Sequence, residues 1–317
     1  MRTSVRGLTE GAILAALVAL LAVAARYIPV LGLAAGFVCP LPLSALVIRH
    51  GLRTGILAAF VAAAIGGIIA GPLVGGGILL AFAPLGITLG VGTARGWSAG
   101  RIVLVGSIIA TVGILANLGV TLAVGGVNPF VVMIDSMRQS QQAVTQFYQG
   151  LGIPREQIEQ AAGQVRRMID LMPRLIPLAV LTGGVMAAYL NMVIGRSVLG
   201  RFGYRLPQLP PMLTWEVPPL LMWLFVLGFI LMAWGGLVSS ALETAGINLT
   251  LLVQLAFILQ GLIVGWILLE RYRAAPWLRW VAIFLALTNP LFGLVAFFLG
   301  LADSAFFLRE RWRVSPT

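Results

Sequence analysis

Lysine is missing from this chain, so all 21 of its basic residues are arginine. Charged residues of either sign make up only 10% of the sequence, against about 25% in a soluble domain. That scarcity excludes a single soluble domain. The net charge of +11 does not indicate nucleic acid, because the arginines sit in short clusters between apolar runs, as topology determinants do. Cysteine occurs once, as Cys39 inside an apolar run. No disulfide within the chain and no cysteine metal site can form. The single histidine, His50, lies beside Arg49 and Arg53 and is expected to be a solvated loop residue. A Walker motif, paired metal-ligand spacing and a nucleophile elbow are all absent. We therefore expect no enzyme, no cofactor and no bound metal.

Apolar residues supply 60% of the chain. They fall in runs long enough to cross lipid, which takes about 20 residues each. The expected fold is an all-α, polytopic transmembrane helical bundle of about nine spans, within a range of about eight to ten. The spans read as 9–28, 33–48, 53–71, 75–94, 102–124, 175–195, 216–240, 248–270 and 277–307. The first could pass for a secretory signal, but its apolar run continues past Arg26 into another span, so an uncleaved helix is expected. Arginines 2, 6, 49, 53, 95, 101, 196, 201, 205, 271, 273 and 279 then alternate as the positive-inside rule requires, with a cytoplasmic N-terminus in the cell membrane. Arg309, Arg311 and Arg313 fit only if 277–307 is broken at Asn289-Pro290 into two short half-crossings.

Residues 128–172 have apolar positions at helical spacing on both sides of Gly150, Gly152 and Pro154. They predict an extracytoplasmic amphipathic helical hairpin lying on the membrane surface or over the spans. The Arg- and Pro-rich stretch 196–215 reads as a cytoplasmic linker. It separates a membrane domain at 1–195 from C-terminal membrane helices at 216–317.

Small residues recur every four positions at Thr54, Ala58, Ala62, Gly66 and Ala70, and again at Ala179, Gly183 and Ala187. In lipid, such stripes let helix backbones approach and gain van der Waals contact. Gly71, Gly75, Gly76 and Gly77 are expected at a tight or unwound outer turn, followed by a kink at Pro84. Irregular backbone of that kind could line a cavity or serve close packing only.

Polar residues inside spans are costly, which makes each a candidate for function. Arg26 ends the first span, where it either snorkels to head groups or binds an anion at a pocket mouth. Asn117 and Thr121 share one face of the fifth span, and Arg174 and Thr182 open the sixth at the same level. Together they form the candidate substrate-binding set. Tyr189 and Asn191 read as structural, Gln254 and Gln260 as interhelical hydrogen bonds, and Trp215 with Glu216 as an interfacial anchor. Asp303 near Arg309 reads as an end-of-helix pair.

The stretches RGLTEGAILAALVALLAVAARYIPV, GLRTGILAAFVAAAIGGIIAG, IDLMPRLIP and LGLADSAFFLRERW resemble the YybS-like membrane proteins over nearly the whole chain. The first six spans also resemble the substrate-binding S components of energy-coupling-factor transporters. That second resemblance implies an outward-facing pocket for a vitamin-like micronutrient, and docking on a coupling subunit driven by ATPases. In S components an AxxxA pattern on the first helix makes the docking contact. Ala12 and Ala16 match it here, with Ala15 and Ala19 as a second register. The long hairpin and the helices after the sixth span depart from that pattern. They leave open a non-transporting scaffold that binds a protein through the hairpin.

Overall fold

The computed structural model describes residues 5–28 and 36–309. Arg2, the opening of the second expected span at 33–35, Arg311 and Arg313 lie outside the described residues. Among those described, the fold is all-α, in two compact units, 1–209 and 210–317. Seven helices are long and apolar enough to cross a membrane, or eight if one bent pair counts as a span.

Unit 1 contains α1 (Val5–Tyr27), α2 (Pro40–His50), α3 (Leu52–Ala70), α4 (Pro72–Gly77), a π-helical turn (Ile78–Phe82), α5 (Ala83–Ala94), α6 (Ala99–Gly125), α7 (Pro129–Gly150) and α8 (Arg155–Arg201). Its core lies between α1, α2, α3 and the π turn, where Val18, Leu43, Leu46, Ala62 and Ile78 are fully buried. Small residues set the spacing. Thr54, Ala58, Ala62 and Gly66 of α3 are all buried, as their four-residue recurrence predicts. On α1, Ala15 and Ala19 are buried whereas Ala12 and Ala16 are exposed.

Three sequence expectations are corrected here. Only Gly71 occupies a turn, at φ 95°, while Gly75, Gly76 and Gly77 are helical. Pro84, the expected kink, lies in the first turn of α5. It has no N–H to give the Leu80 carbonyl, and the chain widens into the π turn just before it. The hairpin's second helix and the sixth span are one continuous helix, α8, of 47 residues. At 1.5 Å per residue it is about 70 Å long. Pro173 and Pro177 lie within it and each removes a donor without ending it. The buried stripe on α8 is Val180, Gly184 and Ala188, one position on from the expected one. It packs on α6, whose Thr111 and Ser107 backbone lie against Gly184.

Unit 2 contains α9 (Leu220–Trp234), α10 (Ser240–Arg271), α11 (Pro276–Thr288) and α12 (Pro290–Phe306). Both α9 and α12 run antiparallel to α10. Gly228 meets Thr250 and Gly246 meets the Met232 backbone on one side, while Gly261 meets Ala296 and Gly300 meets Phe257 on the other. Phe225, Phe257 and Phe297 fill the interior, with ring centroids 5.2 and 6.0 Å apart.

The expected span 277–307 divides at Asn289, where α11 and α12 meet at 104°. Asn289 accepts a hydrogen bond from the Leu291 N–H at 2.9 Å and so caps α12. The α10–α12 register puts Pro290 near the Arg271 end of α10, where α11 also begins. Trp280 meets Trp266 at 5.4 Å, and Arg279 pairs with Glu270 at 3.1 Å. So α11 lies across the end of α10. Its exposed Trp277, Trp280, Phe284 and Leu287 form one apolar face, the pattern of a helix in the membrane interface plane.

Candidate functional site

The expected substrate-binding residues gather at one end of unit 1. α1 and α3 run parallel, with Gly11 beside Thr54, so Arg26 falls level with the Ala70–Gly71 turn. α6 returns antiparallel to α4 and the π turn. Gly76 meets Val120, Gly77 meets Asn117, and Gly113 meets the Leu80 carbonyl. Pro84 has deprived that carbonyl of its helical partner, and the missing side chain of Gly113 lets α6 come up against it. α8 runs antiparallel to α6 with Gly184 at Thr111 and Gly183 at Ile114. That register brings Thr182 level with Gly113, and Arg174 level with Thr121.

The five residues are unequally free. Arg26 is exposed. The hydroxyls donate to their own helices, Thr121 to the Asn117 carbonyl at 2.8 Å and Thr182 to the Leu178 carbonyl at 2.7 Å. Both threonines therefore offer only acceptor lone pairs. Arg174 is half-buried and already partnered. Asn117 is half-buried beside Gly77. Its side-chain amide is the group best placed to both donate and accept.

At the opposite end of unit 1, His50 is not a solvated loop residue. Its Nε2 lies 2.7 Å from Glu10 Oε2, and Arg49 reaches the same oxygen at 2.9 Å. Its side chain is only 16% exposed. The contact spans α1 and α2, forty residues apart in sequence, so local reading could not find it.

Unit 2 holds the most connected polar cluster. Gln260 accepts from the Val217 N–H at 2.6 Å and donates to Asp303 at 2.7 Å and Ser304 at 3.1 Å. The Arg309 Nε donates to Asp303 Oδ2 at 2.6 Å, and its backbone N–H to Oδ1 at 3.0 Å. Its Nη1 donates to the Trp215 carbonyl at 2.6 Å. Asp303 and Arg309 are both almost wholly buried. Phe307, in the left-handed region at φ 51°, turns the chain back so that Arg309 reaches Asp303. Gln260 lies midway along Leu249–Leu269, a run of α10 without a charged residue. Ionisable groups level with such a run mark candidate functional sites. A pocket of about 230 Å³ opens beside the cluster, walled by Glu216, Pro218, Pro219, Phe307 and Arg309. The sequence flagged Asp303 with Arg309 as an end-of-helix pair and Gln260 as an interhelical hydrogen bond, and folding joins them into one network.

Residues 16–304 match a family model described as a predicted membrane protein, DUF2232. The chain belongs to this family. It is an integral membrane protein, as its seven apolar helices require. It is also similar to the uncharacterized protein YybS of Bacillus subtilis (strain 168), 26% identical over 317 residues that cover 96% of this chain and 98% of that protein. No solved structure matches.

Proposed function

We propose that this family member is a substrate-binding or transport subunit for a small water-soluble molecule, of the vitamin-like class bound by S components. It would lie in the cell membrane with a cytoplasmic N-terminus and carry out no catalysis itself. The observation that carries this reading is the shared end of unit 1. Asn117 lies against Gly77 there, with Thr121 one turn further along α6, beside glycine-rich backbone next to the π turn. Few, convergent polar groups on otherwise apolar walls are what a small-molecule site needs. The exposed Ala12 and Ala16, on a helix whose Ala15 and Ala19 are already buried, leave a small-residue face open for a coupling subunit. Asn117→Ala is expected to weaken substrate binding about tenfold or more, the loss of a bidentate polar contact, without lowering the melting temperature. Native mass spectrometry of gently purified protein supplies the substrate for that measurement. Unchanged affinity in both Asn117→Ala and Thr121→Ala removes the site from unit 1.

A scaffold role has its own support. The α7–α8 hairpin leaves Phe147, Leu151, Met168 and Leu171 exposed, and an open groove of about 630 Å³ lies between its helices, bordered by Met133, Met137 and Val144. Deleting 128–170 would abolish a partner interaction on that reading. Under the transport reading, substrate binding outlasts the deletion.

A further inference from the structure

The pocket of unit 2 contains two kinds of group that the cluster does not saturate. Asp303 accepts three hydrogen bonds, from the Arg309 N–H, Arg309 Nε and Gln260. Arg309 commits Nε and Nη1 and keeps the two donors of Nη2, with no hydrogen bond from that nitrogen among the described residues. Glu216, which also lines the pocket, makes no hydrogen bond or ion pair among the described residues and is exposed. Glu216 and Arg309 therefore line one pocket with opposite charges and are not paired with each other. Pro218 and Pro219 between them have no N–H to compete as donors. Together with Val217 and Phe307 they give the pocket apolar walls.

We propose that this pocket binds a zwitterionic group, with its ammonium on Glu216 and its neighbouring carboxylate or phosphate on Arg309. The buried ion pair serves the site by fixing the guanidinium. Asp303 holds Nε and the Trp215 carbonyl holds Nη1, which presents Nη2 at a set position. A volume of about 230 Å³ suits a group the size of an amino acid or of an ethanolamine phosphate, and is small for a larger ligand. One chemistry has two sources here, a phosphatidylethanolamine headgroup or a free amino acid. The site is separate from the one in unit 1 and does not depend on it.

The full-length chain tests this in two arms. In the first, lipid retention is read by native mass spectrometry after exchange into phosphatidylethanolamine, phosphatidylcholine or phosphatidylglycerol. In the second, glycine is titrated calorimetrically into lipid-depleted protein in detergent. Retention of phosphatidylethanolamine over both other lipids identifies a headgroup site, and saturable heat with glycine identifies a free-ligand site. In either case Glu216→Gln reduces binding at least tenfold. Glu216 is exposed and makes no hydrogen bond or ion pair among the described residues, so its variant keeps the melting temperature of the parent. Equal retention of the three lipids with no glycine heat overturns the proposal, as does binding that Glu216→Gln leaves intact.

Discussion

The two units differ in how they bury most of their polar side chains, although in unit 2 Asn248 also donates to the Thr244 carbonyl of its own helix and the Thr250 hydroxyl is buried without a partner among the described residues. In unit 1, Ser44, Thr54, Thr88 and Ser107 are buried, and each hydroxyl donates to a carbonyl three or four residues back, in its own helix except for Thr54, which reaches the His50 carbonyl at the end of α2. These bonds satisfy the hydroxyl locally and say nothing about which helix packs where. In unit 2, Gln260, Ser304, Asp303 and Arg309 bond across elements, tying α10, α12 and the extended segment before α9 into one network. Asn191 is the partial exception in unit 1. Its amide donates to Gly36 and to Ala187, while its Oδ1 is buried without a partner among the described residues. The difference teaches where specificity lies. Unit 1 is assembled by shape, through small residues, and unit 2 adds a polar lock that only one arrangement satisfies.

The largest expected effect follows from that lock. Asp303→Ala leaves the Arg309 guanidinium buried without a counter-charge, which destabilises a protein by about 3–5 kcal/mol. Thermal unfolding should show the loss, and limited proteolysis should place new cleavages between residues 210 and 309. Replacing both partners, Asp303→Leu with Arg309→Met, should recover most of it, because the pair repays little beyond its own desolvation. A single variant that melts with the parent would remove the lock from the comparison.

Shape has its own test on a single helix. A Cβ at Gly261 would overlap the Ala296 carbonyl, forcing α10 and α12 apart, whereas one at Gly265 meets nothing within 4 Å. Gly261→Ala should destabilise by about 1–3 kcal/mol. Gly265→Ala should be neutral or stabilise by up to about 1 kcal/mol, the helix-propensity gain. In unit 1, Gly86→Ala should behave like Gly261→Ala, since its Cβ would overlap the Pro40 carbonyl. Equal melting temperatures for the two α10 variants would mean that close backbone contact does not hold these helices.

What the sequence disclosed and withheld follows the same division. Apolar runs and the four-residue recurrence on α3 announced the helices and one packing face, because both are local and periodic. The break at Asn289-Pro290 was visible for the same reason, since a cap and a proline are neighbours in the chain. The expected boundary between the hairpin at 172 and the span at 175 is absent, since α8 runs through Pro173 and Pro177 as one helix. Local rules misplaced His50, whose partner Glu10 lies forty residues away. The α6–α8 register separates Thr182, level with Gly113, from Arg174, level with Thr121, and only the shared face of Asn117 and Thr121 was legible. That the two threonine hydroxyls are turned back on their own helices was not, because rotamers are chosen by neighbours the sequence does not reveal. Gln260 and Asp303 each stood out as polar residues in an apolar stretch, but their bond joins positions forty-three residues apart.

The smallest effects discriminate most sharply between the two units, because the chemical change is identical. Ser107→Ala and Ser304→Ala each delete one buried hydroxyl. Ser107 donates only to the Val103 carbonyl at 2.7 Å, which its helix can satisfy without the hydroxyl, so the change should stay within about 0.5 kcal/mol. Ser304 accepts from the Gln260 amide at 3.1 Å and also contacts the Val217 carbonyl at 3.4 Å. Its loss leaves a buried amide proton short of a partner and should cost about 1–2 kcal/mol. A double-mutant cycle of Ser304→Ala with Gln260→Leu should then show coupling of about 0.5 kcal/mol or more. If Ser107→Ala destabilises as much as Ser304→Ala, the distinction between local and cross-element satisfaction fails, and helix packing alone accounts for both units.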